Sequence, residues 1–163
     1  MAKLSLSIFL VALTVSNANL QTPKTNVSNQ GPQTYQKQLL DLINKVRSTG
    51  CSCGKVRMKK GLPMSWNIKL EKAAALHAKD IHSRQILSHR GKYGSNTEQR
   101  IEKTGYRWKS FAENIAEGFD SPQSVFEAWM QSPGHCKNIM GDYSELGAAK
   151  VADYWVVDFG RPQ

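Results

Sequence analysis

The segment that most constrains the fold is residues 128–140, which reads AWMQSPGHCKNIM. Trp129 gives a helix in this region a large apolar side chain that must be buried. Pro133 and Gly134 predict the end of that helix, because proline has no N–H for a helix interior and glycine is common past helix ends. A histidine and a cysteine follow directly, so one short segment combines a core anchor, a helix end and two chemically active side chains.

The N-terminus has the pattern of a secretory signal peptide. Lys3 supplies a positive charge, and residues 4–15 form an apolar run too short to span a bilayer. We predict a signal peptide over residues 1–18, with cleavage after Ala18; a buried N-terminal helix is the alternative. Because no later segment is apolar enough to cross a membrane, we expect a mature chain without a transmembrane segment, in the extracellular space or the periplasm.

The length of the chain, 163 residues, suits one domain that can bury a full core without relying on disulfides. Residues 19–33 are rich in polar residues and contain proline and glycine, which predicts a flexible lead-in. Residues 34–163 are expected to form the single domain. The ordinary composition favours a globular protein over a disordered chain or a coiled coil.

Apolar residues at helical spacing predict that helices dominate the first part of this domain. One helix covers residues 35–46 and ends at Gly50, and residues 51–66 are expected to form a loop. Asn67 is a good N-cap for a second, alanine-rich helix that extends for about five turns.

Strand signals are clearest near the C-terminus. Residues 146–151 and 154–159 predict two strands, and Ala152-Asp153 between them fits the tight turn of a β-hairpin. A further strand is expected over residues 111–115. Because helices come first and the clearest strands last, the predicted fold class is α+β, with helices packed on a small sheet.

The three cysteines are Cys51, Cys53 and Cys136. In an exported protein, disulfides persist. A bridge between Cys51 and Cys53 would close a small strained ring, so we predict that Cys136 pairs with Cys51 or Cys53. One cysteine is then left over, either free or used between chains. The alternative is a zinc site of the three cysteines with His135, although the cysteine spacing departs from the usual pattern.

The net charge is +9, and the densest basic cluster consists of Lys55, Arg57, Lys59 and Lys60. An exported basic protein meets anionic lipid, lipopolysaccharide or wall polymer rather than nucleic acid, so we expect contact with anionic envelope surfaces and no nucleic-acid partner. The alternative is that the cluster only forms a solvated surface.

Eight local patterns occur in an order that resembles the CAP superfamily (cysteine-rich secretory proteins, antigen 5 and pathogenesis-related proteins) in its bacterial SCP-like form. In chain order they are NKVR (44–47), PMSW (63–66), the alanine-rich helix, SH (88–89), ENIA (113–116), SPGH (132–135), ELG (145–147), and YW (154–155) with a final FG (159–160). The resemblance covers roughly residues 37–160. It implies an α-β-α sandwich with a small central antiparallel sheet.

The resemblance also implies a cleft, because members of that superfamily place two histidines and two acidic residues together, and several bind a divalent metal through the histidines. By motif, the cleft residues here are His89, Glu113 and His135. Ser132 stands where many relatives carry the second acid. The three-residue bacterial form of the cleft is therefore expected, and the four-residue form is not.

The chemistry of this trio can be considered independently of the family. Two neutral imidazoles can hold a zinc-like divalent ion and leave coordination positions open, so His89 and His135 are the candidate metal ligands. Glu113 could orient one imidazole through its second ring nitrogen. It could instead act as the base that takes a proton from a metal-bound water.

Two further residues near the trio are predicted to be structural. His77 lies in the alanine-rich helix and is expected to be partly buried and hydrogen-bonded rather than a ligand. Asn114 follows Glu113, and on a strand it would point to the opposite face, where we expect it to form structural hydrogen bonds.

These observations support two functions from different classes. The first is a secreted, non-enzymatic binding module that uses the cleft, with or without a metal, to bind a lipid, glycan, peptide or protein. The second is a metal-assisted hydrolase of peptide or ester bonds. The missing second acid, the lack of a third metal ligand and the lack of a nucleophile with its own base favour binding.

The signal-peptide prediction can be tested directly. Expressed in a bacterial host, the chain should be exported and should begin at Asn19, as measured by N-terminal sequencing and intact mass. The control is Leu10→Arg, which places a charge in the apolar run and should block export and cleavage. Exported protein that still begins at residue 1 or 2 would contradict the prediction.

Overall fold

Five α-helices, one short 3₁₀-helix (Lys92–Gly94) and six strands make up the secondary structure of the described residues, 34–163, of a computed structural model. The helices are α1 (Thr34–Thr49), α2 (Ile68–Arg84), α3 (Thr97–Lys103), α4 (Pro122–Gln131) and α5 (Pro133–Ile139). The strands are β1 (Cys51–Cys53), β2 (Val56–Met58), β3 (Ser65–Trp66), β4 (Trp108–Ala116), β5 (Glu145–Val151) and β6 (Tyr154–Pro162). The predicted signal peptide (residues 1–18) and flexible lead-in (19–33) lie outside the described residues.

The main sheet has the strand order β3-β5-β6-β4, with β4 at one edge. β6 pairs antiparallel with both β4 and β5, as expected for a small antiparallel sheet. β3 adds a two-residue parallel pairing to β5. The predicted hairpin corresponds to β5 and β6, and the predicted strand over residues 111–115 lies within β4.

Helices cover both faces of this sheet, so the predicted α+β class and α-β-α sandwich are confirmed. Successive side chains of β6 point to opposite faces of the sheet and so divide the core in two. On one face, Trp155, Val157 and Phe159 join the apolar cluster that includes α1, α4 and α5. On the other face, Tyr154 and Val156 pack with alanines of α2.

α2 lies unusually close to the sheet because glycine occupies the contact point. A Cβ atom built on Gly147 of β5 would lie 2.0 Å from the backbone nitrogen of Glu71 in α2. Small residues on the helix face, Ala74 and Ala78, are fully buried against the same side of the sheet. This close packing fixes α2, which carries His77, relative to β4 and β6.

The segment around Pro133 differs from the prediction. α4 ends at Gln131, but Pro133 is also the first residue of α5, so His135 and Cys136 lie on a second helix rather than in a loop. Proline suits this position because the first residue of a helix needs no N–H partner. Trp129 is an anchor as expected: it is buried, and its Nε1–H donates to the carbonyl of Ile115 at 3.2 Å.

The predicted loop over residues 51–66 also contains structure that was not expected. β1 and β2 form a separate two-stranded antiparallel hairpin, in which Cys51 pairs with Met58 and Cys53 with Val56. Gly54 adopts a φ of +61° at the turn, a conformation that glycine accommodates without strain. Within residues 34–163, no helix is both long and apolar enough to cross a membrane.

The close packing of α2 on β5 leads to a prediction about the free energy of unfolding. Gly147→Ala should lower the free energy of unfolding by about 3 kcal/mol, because its methyl group collides with helix backbone that cannot rotate away. Gly134→Ala, where a Cβ would meet no atom within 4 Å, is the matched control and should be neutral or slightly stabilising. Urea unfolding of both variants measures the difference; equal midpoints would contradict the prediction.

Candidate functional site

His89 and Glu113 are in direct contact. His89 lies in the segment between α2 and α3, and its Nδ1 is 2.7 Å from Oε1 of Glu113 on β4. The side chain of His89 is 55% exposed, whereas that of Glu113 is only 2% exposed. Because an ionised carboxylate only accepts hydrogen bonds, Nδ1 carries the proton. The second ring nitrogen of His89, Nε2, is the one left for a ligand.

Both oxygens of Glu113 accept further hydrogen bonds. The hydroxyl of Thr97 donates to Oε1 at 3.0 Å, and the guanidinium of Arg100 donates to Oε2 at 2.7 Å. Burial on its own raises the pKa of Glu113, but the hydrogen bond from His89 and the positive charge of Arg100 outweigh it. The pKa of Glu113 is therefore below its usual value, and the carboxylate is ionised at neutral pH.

A second carboxyl group, that of Asp158, lies beside Glu113. The two residues are directly paired across β4 and β6. Within residues 34–163, neither oxygen of Asp158 accepts a hydrogen bond from an N–H or hydroxyl group. The remaining partner is Glu113, and two carboxyls can share a hydrogen bond only if one keeps its proton. Burial and the charge of Glu113 raise the pKa of Asp158 well above its usual value, so Asp158 is the protonated donor.

His77 lies behind this pair. It is completely buried rather than partly buried as predicted, and its Nε2 is 2.9 Å from the carbonyl oxygen of Ser88 and 3.9 Å from Oε1 of Glu113. Burial lowers the pKa of His77, so its ring is neutral and Nε2 donates to Ser88. This bond fixes the backbone of the residue immediately before His89.

His135 reaches the site from the other face of the sheet. The residue is half-buried on α5, and its pKa is lowered first by burial and then by the charge that His89 carries when protonated. The side chain of Asn114 donates to the carbonyl of His135 at 3.1 Å, and Asn138 donates to Oδ1 of Asn114 at 2.8 Å. Asn114 is therefore the structural hydrogen-bonding residue that the sequence predicts.

Consecutive residues of β4 thus contact the two histidines, one at its ring and the other at its backbone. Glu113 and Asn114 point to opposite faces of the sheet, and β4 is an edge strand. Glu113 binds His89 from the α2 face, and Asn114 binds the backbone of His135 from the α5 face. The charge of a protonated His89 lowers the pKa of His135, so the two histidines interact electrostatically.

Of the predicted cleft residues, the structure places His89 and Glu113 in contact and His135 within electrostatic reach of His89. The binding of a metal by the two histidines stays a prediction. Ser132, at the position of the second acid in relatives, is the residue between α4 and α5.

Thr97, Arg100 and Asp158 are the partners of Glu113 that the sequence does not predict. Asp158 had a detectable signal, because it occupies an inward position of an otherwise apolar strand, WVVDF. Arg100 had none, since a buried arginine in a short polar helix looks like any surface cation before its partner is known.

The disulfide joins Cys53 to Cys136, one of the two predicted pairings, and Cys51 is free. In residues 34–163, these three cysteines form the cluster of potential metal ligands, because their sulfur atoms all lie within 4.8 Å of one another. Two of them are bonded to each other and are not thiolates. The alternative zinc site with His135 is therefore not formed in this structure.

The four cationic residues of the basic cluster, Lys55, Arg57, Lys59 and Lys60, are all exposed on the β1–β2 hairpin and the residues that follow it. Lys55 and Arg57 belong to the same hairpin as Cys53, and Lys59 and Lys60 directly follow it. Contact with an anionic envelope surface stays a prediction.

Comparison with known proteins agrees with this architecture. The sequence model of the cysteine-rich secretory protein family (CAP) matches residues 40–159. The uncharacterized protein YkwD of Bacillus subtilis (strain 168) is 30% identical over 154 residues, which cover 90% of this chain and 56% of YkwD.

Two solved structures share the fold. An extracellular protein containing an SCP domain from Bacillus anthracis str. Ames has a TM-score of 0.68 at 22% identity, over 81% of this chain and 45% of that one. An outer surface protein from Borrelia burgdorferi has a TM-score of 0.64 at 22% identity, over 78% of this chain and 92% of that one. The chain thus spans about half the length of YkwD and of the Bacillus anthracis protein.

The carboxyl pair predicts opposite pH dependences for two variants. Asp158 has a raised pKa in the folded state, so its contribution to stability is complete below its unfolded pKa and is lost as the pH rises through the folded value. Asp158→Asn keeps a donor to Glu113 but cannot titrate. The stability of this variant relative to wild type should therefore increase from pH 4 to pH 7, by up to about 1.4 kcal/mol per pH unit.

Glu113 has a lowered pKa, so its contribution is present above its unfolded pKa and is lost as the pH falls. Glu113→Gln should therefore be most destabilising at pH 7 and least destabilising at acidic pH. Urea unfolding of wild type and both variants across pH 3–8 measures these slopes. Variant curves that run parallel to the wild-type curve would contradict the assignment of the proton to Asp158.

Proposed function

The chain belongs to the cysteine-rich secretory protein family (CAP), and we propose that it is an exported, non-enzymatic binding module whose ligand contacts the cleft of His89, Glu113 and His135. The signal-peptide pattern and the Cys53–Cys136 disulfide support export, because such bridges persist in oxidising compartments. The description of the Bacillus anthracis relative as an extracellular protein agrees with this location.

The observation that carries the proposal is the hydrogen bonding of Glu113. A general base needs a pKa near the operating pH and access to the proton that it removes. Glu113 instead has a lowered pKa, is almost completely buried and accepts bonds from His89, Thr97 and Arg100. These features suit a group that orients His89 and fit poorly with a base that activates water. They favour binding over hydrolysis.

The same geometry supports a divalent metal at the cleft. Histidine ligands commonly donate their other ring N–H to a carboxylate, which fixes the ring orientation, and Glu113 accepts such a bond from His89. Nε2 of His89 and the neutral ring of His135 would be the protein ligands. The ion would supply a Lewis-acidic position for an oxygen or nitrogen atom of the ligand.

The surroundings of His89 suggest an amphipathic ligand. Ile86 and Leu87 lie just before it in the chain and are 51% and 44% exposed. Elsewhere on the surface, Lys55 and Arg57 are exposed on the β1–β2 hairpin, and the exposed Lys59 and Lys60 directly follow it. Exposed apolar residues together with positive charge fit a lipid, or a glycan or peptide that carries apolar and anionic groups, in contact with the cell envelope.

Zinc titration by calorimetry tests the metal at the cleft. Wild type should bind one ion, and both His89→Ala and His135→Ala should abolish binding. Glu113→Gln should weaken it by about 10–100-fold, because the orientation of His89 is lost. His82→Ala, which removes a histidine outside the cleft, is the control and should bind like wild type. Binding should weaken as the pH falls, because protons compete for the neutral imidazoles.

Two outcomes would overturn parts of the proposal. Wild type that binds no zinc would overturn the metal. Metal-dependent turnover of a peptide or ester substrate, lost in His135→Ala, would overturn the non-enzymatic function and support the alternative, a hydrolase in which His89 and His135 hold the ion and Glu113 is the base. A panel of such substrates, assayed with and without zinc, makes this comparison.

A further inference from the structure

The free thiol of Cys51 lies beside the disulfide. Its Sγ is 3.8 Å from Sγ of Cys136 and 4.0 Å from Sγ of Cys53. The cause is local: Cys51 and Cys53 are two residues apart on β1, so their side chains share one face of the strand, and this face is turned toward Cys136 on α5. All three sulfur atoms therefore lie within 4.0 Å of one another.

The exposure of the three residues differs in a way that matters for reactivity. Cys53 and Cys136 are completely buried, so a dissolved thiol has no direct access to the bridge. Cys51 is only partly buried. Thiol–disulfide exchange requires access of one sulfur to another. Cys51 is therefore the sulfur of this cluster that can contact both the bridge and the solvent.

Either cysteine of β1 can serve as the partner of Cys136 at similar cost in chain entropy. The Cys53–Cys136 bridge joins residues 83 apart, and a Cys51–Cys136 bridge would join residues 85 apart. Loop-closure entropy depends only weakly on loop length, so the two closed loops are nearly equivalent. Local packing alone sets the balance between the two disulfide isomers.

We propose that Cys51, Cys53 and Cys136 form a thiol–disulfide exchange site, in which Cys51 passes the disulfide from the buried pair to a small external thiol. This proposal is independent of the metal and of the ligand at the His89/Glu113/His135 cleft.

The first step is an internal exchange without net oxidation or reduction. The thiolate of Cys51 attacks Sγ of Cys136; the Cys51–Cys136 bond forms, the Cys53–Cys136 bond breaks, and Cys53 leaves as a thiolate that takes up the proton lost by Cys51. Because Cys51 lies beside the bridge at nearly equal distances from both sulfurs, its side chain rotates to approach Cys136 in line. Its partial exposure leaves room for this rotation.

The second step involves the external thiol. Its thiolate attacks the now bridged sulfur of Cys51, the mixed disulfide forms, and Cys136 leaves as a thiolate that takes up the proton released by the external thiol. One disulfide is present before and after each step, so electrons balance. Burial raises the pKa of Cys51, and the charge of Arg57 opposes this effect only in part. The attacking thiolate is thus a minor form at neutral pH.

The test compares the reduction of the bridge by glutathione in wild type and in Cys51→Ser, followed by acid quenching, alkylation and peptide mapping. The variant should be reduced at least tenfold more slowly, because the buried bridge has lost its route to solvent. Ser52→Ala, at the exposed position between the two cysteines, is the control and should react like wild type. Equal rates in wild type and Cys51→Ser would overturn the proposal.

Two measurements keep the proposal testable if Cys51→Ser is poorly folded. Wild type without reductant, held above neutral pH and then quenched, should carry the alkyl label on Cys51 and on a fraction of Cys53. Oxidised Cys53→Ser should contain a Cys51–Cys136 bridge by mass spectrometry. Label confined to Cys51, or free Cys51 and Cys136 in Cys53→Ser, would overturn the proposal.

Discussion

The ionised carboxylate of Glu113 is the constraint around which the site is built. A buried charge is tolerated only when it is paired and hydrogen-bonded, because its loss of hydration otherwise costs several kcal/mol. Glu113 meets this requirement with Arg100 and Thr97 from α3, His89 from the preceding segment and protonated Asp158 from β6. One charge thereby fixes a helix, an irregular segment and two strands relative to one another.

This network explains why His89 can be both exposed and well oriented. An exposed side chain normally samples several rotamers, and its ordering has an entropic cost. The 2.7 Å hydrogen bond to the buried carboxylate of Glu113 occupies Nδ1 and orients the ring. The bond from His77 to the carbonyl of Ser88 fixes the backbone next to His89. The ordering of His89 therefore depends on residues that are themselves inaccessible to a ligand.

The sequence could predict the elements whose signal is periodic. The helices before Gly50 and after Asn67, and the C-terminal hairpin, follow from spacing and capping alone. The three-residue strands β1 and β2 are too short to show a period, so the sequence predicts a loop where the structure has a hairpin. α5 was missed because Pro133 ends one helix and starts the next, and proline is compatible with both roles.

Prediction of the site had a different limit. His89, Glu113 and His135 could be named from the order of short motifs, and Asn114 from the alternation of a strand. The partners of the buried carboxylate could not be named in this way, because the approach of Arg100 and Asp158 to Glu113 depends on how α3 and β6 pack against β4. A single sequence carries no direct record of such packing, and the paired protonation states follow only once the two carboxyls are known to face each other.

α5 connects the two reactive regions of the molecule. His135 and Cys136 are consecutive on this seven-residue helix, which is held to β4 through Asn114 and to β1 through the disulfide. In both disulfide isomers Cys136 remains bridged to β1, so exchange between Cys53 and Cys51 leaves the helix tethered. Only full reduction removes the covalent link between α5 and β1; the helix is then held by its hydrogen bonds to β4, by the bond from Arg47 to the carbonyl of Ile139, and by the burial of Ile139 in the core. The chemistry of the cysteine cluster and the geometry of the cleft are thus separable as long as one disulfide is present.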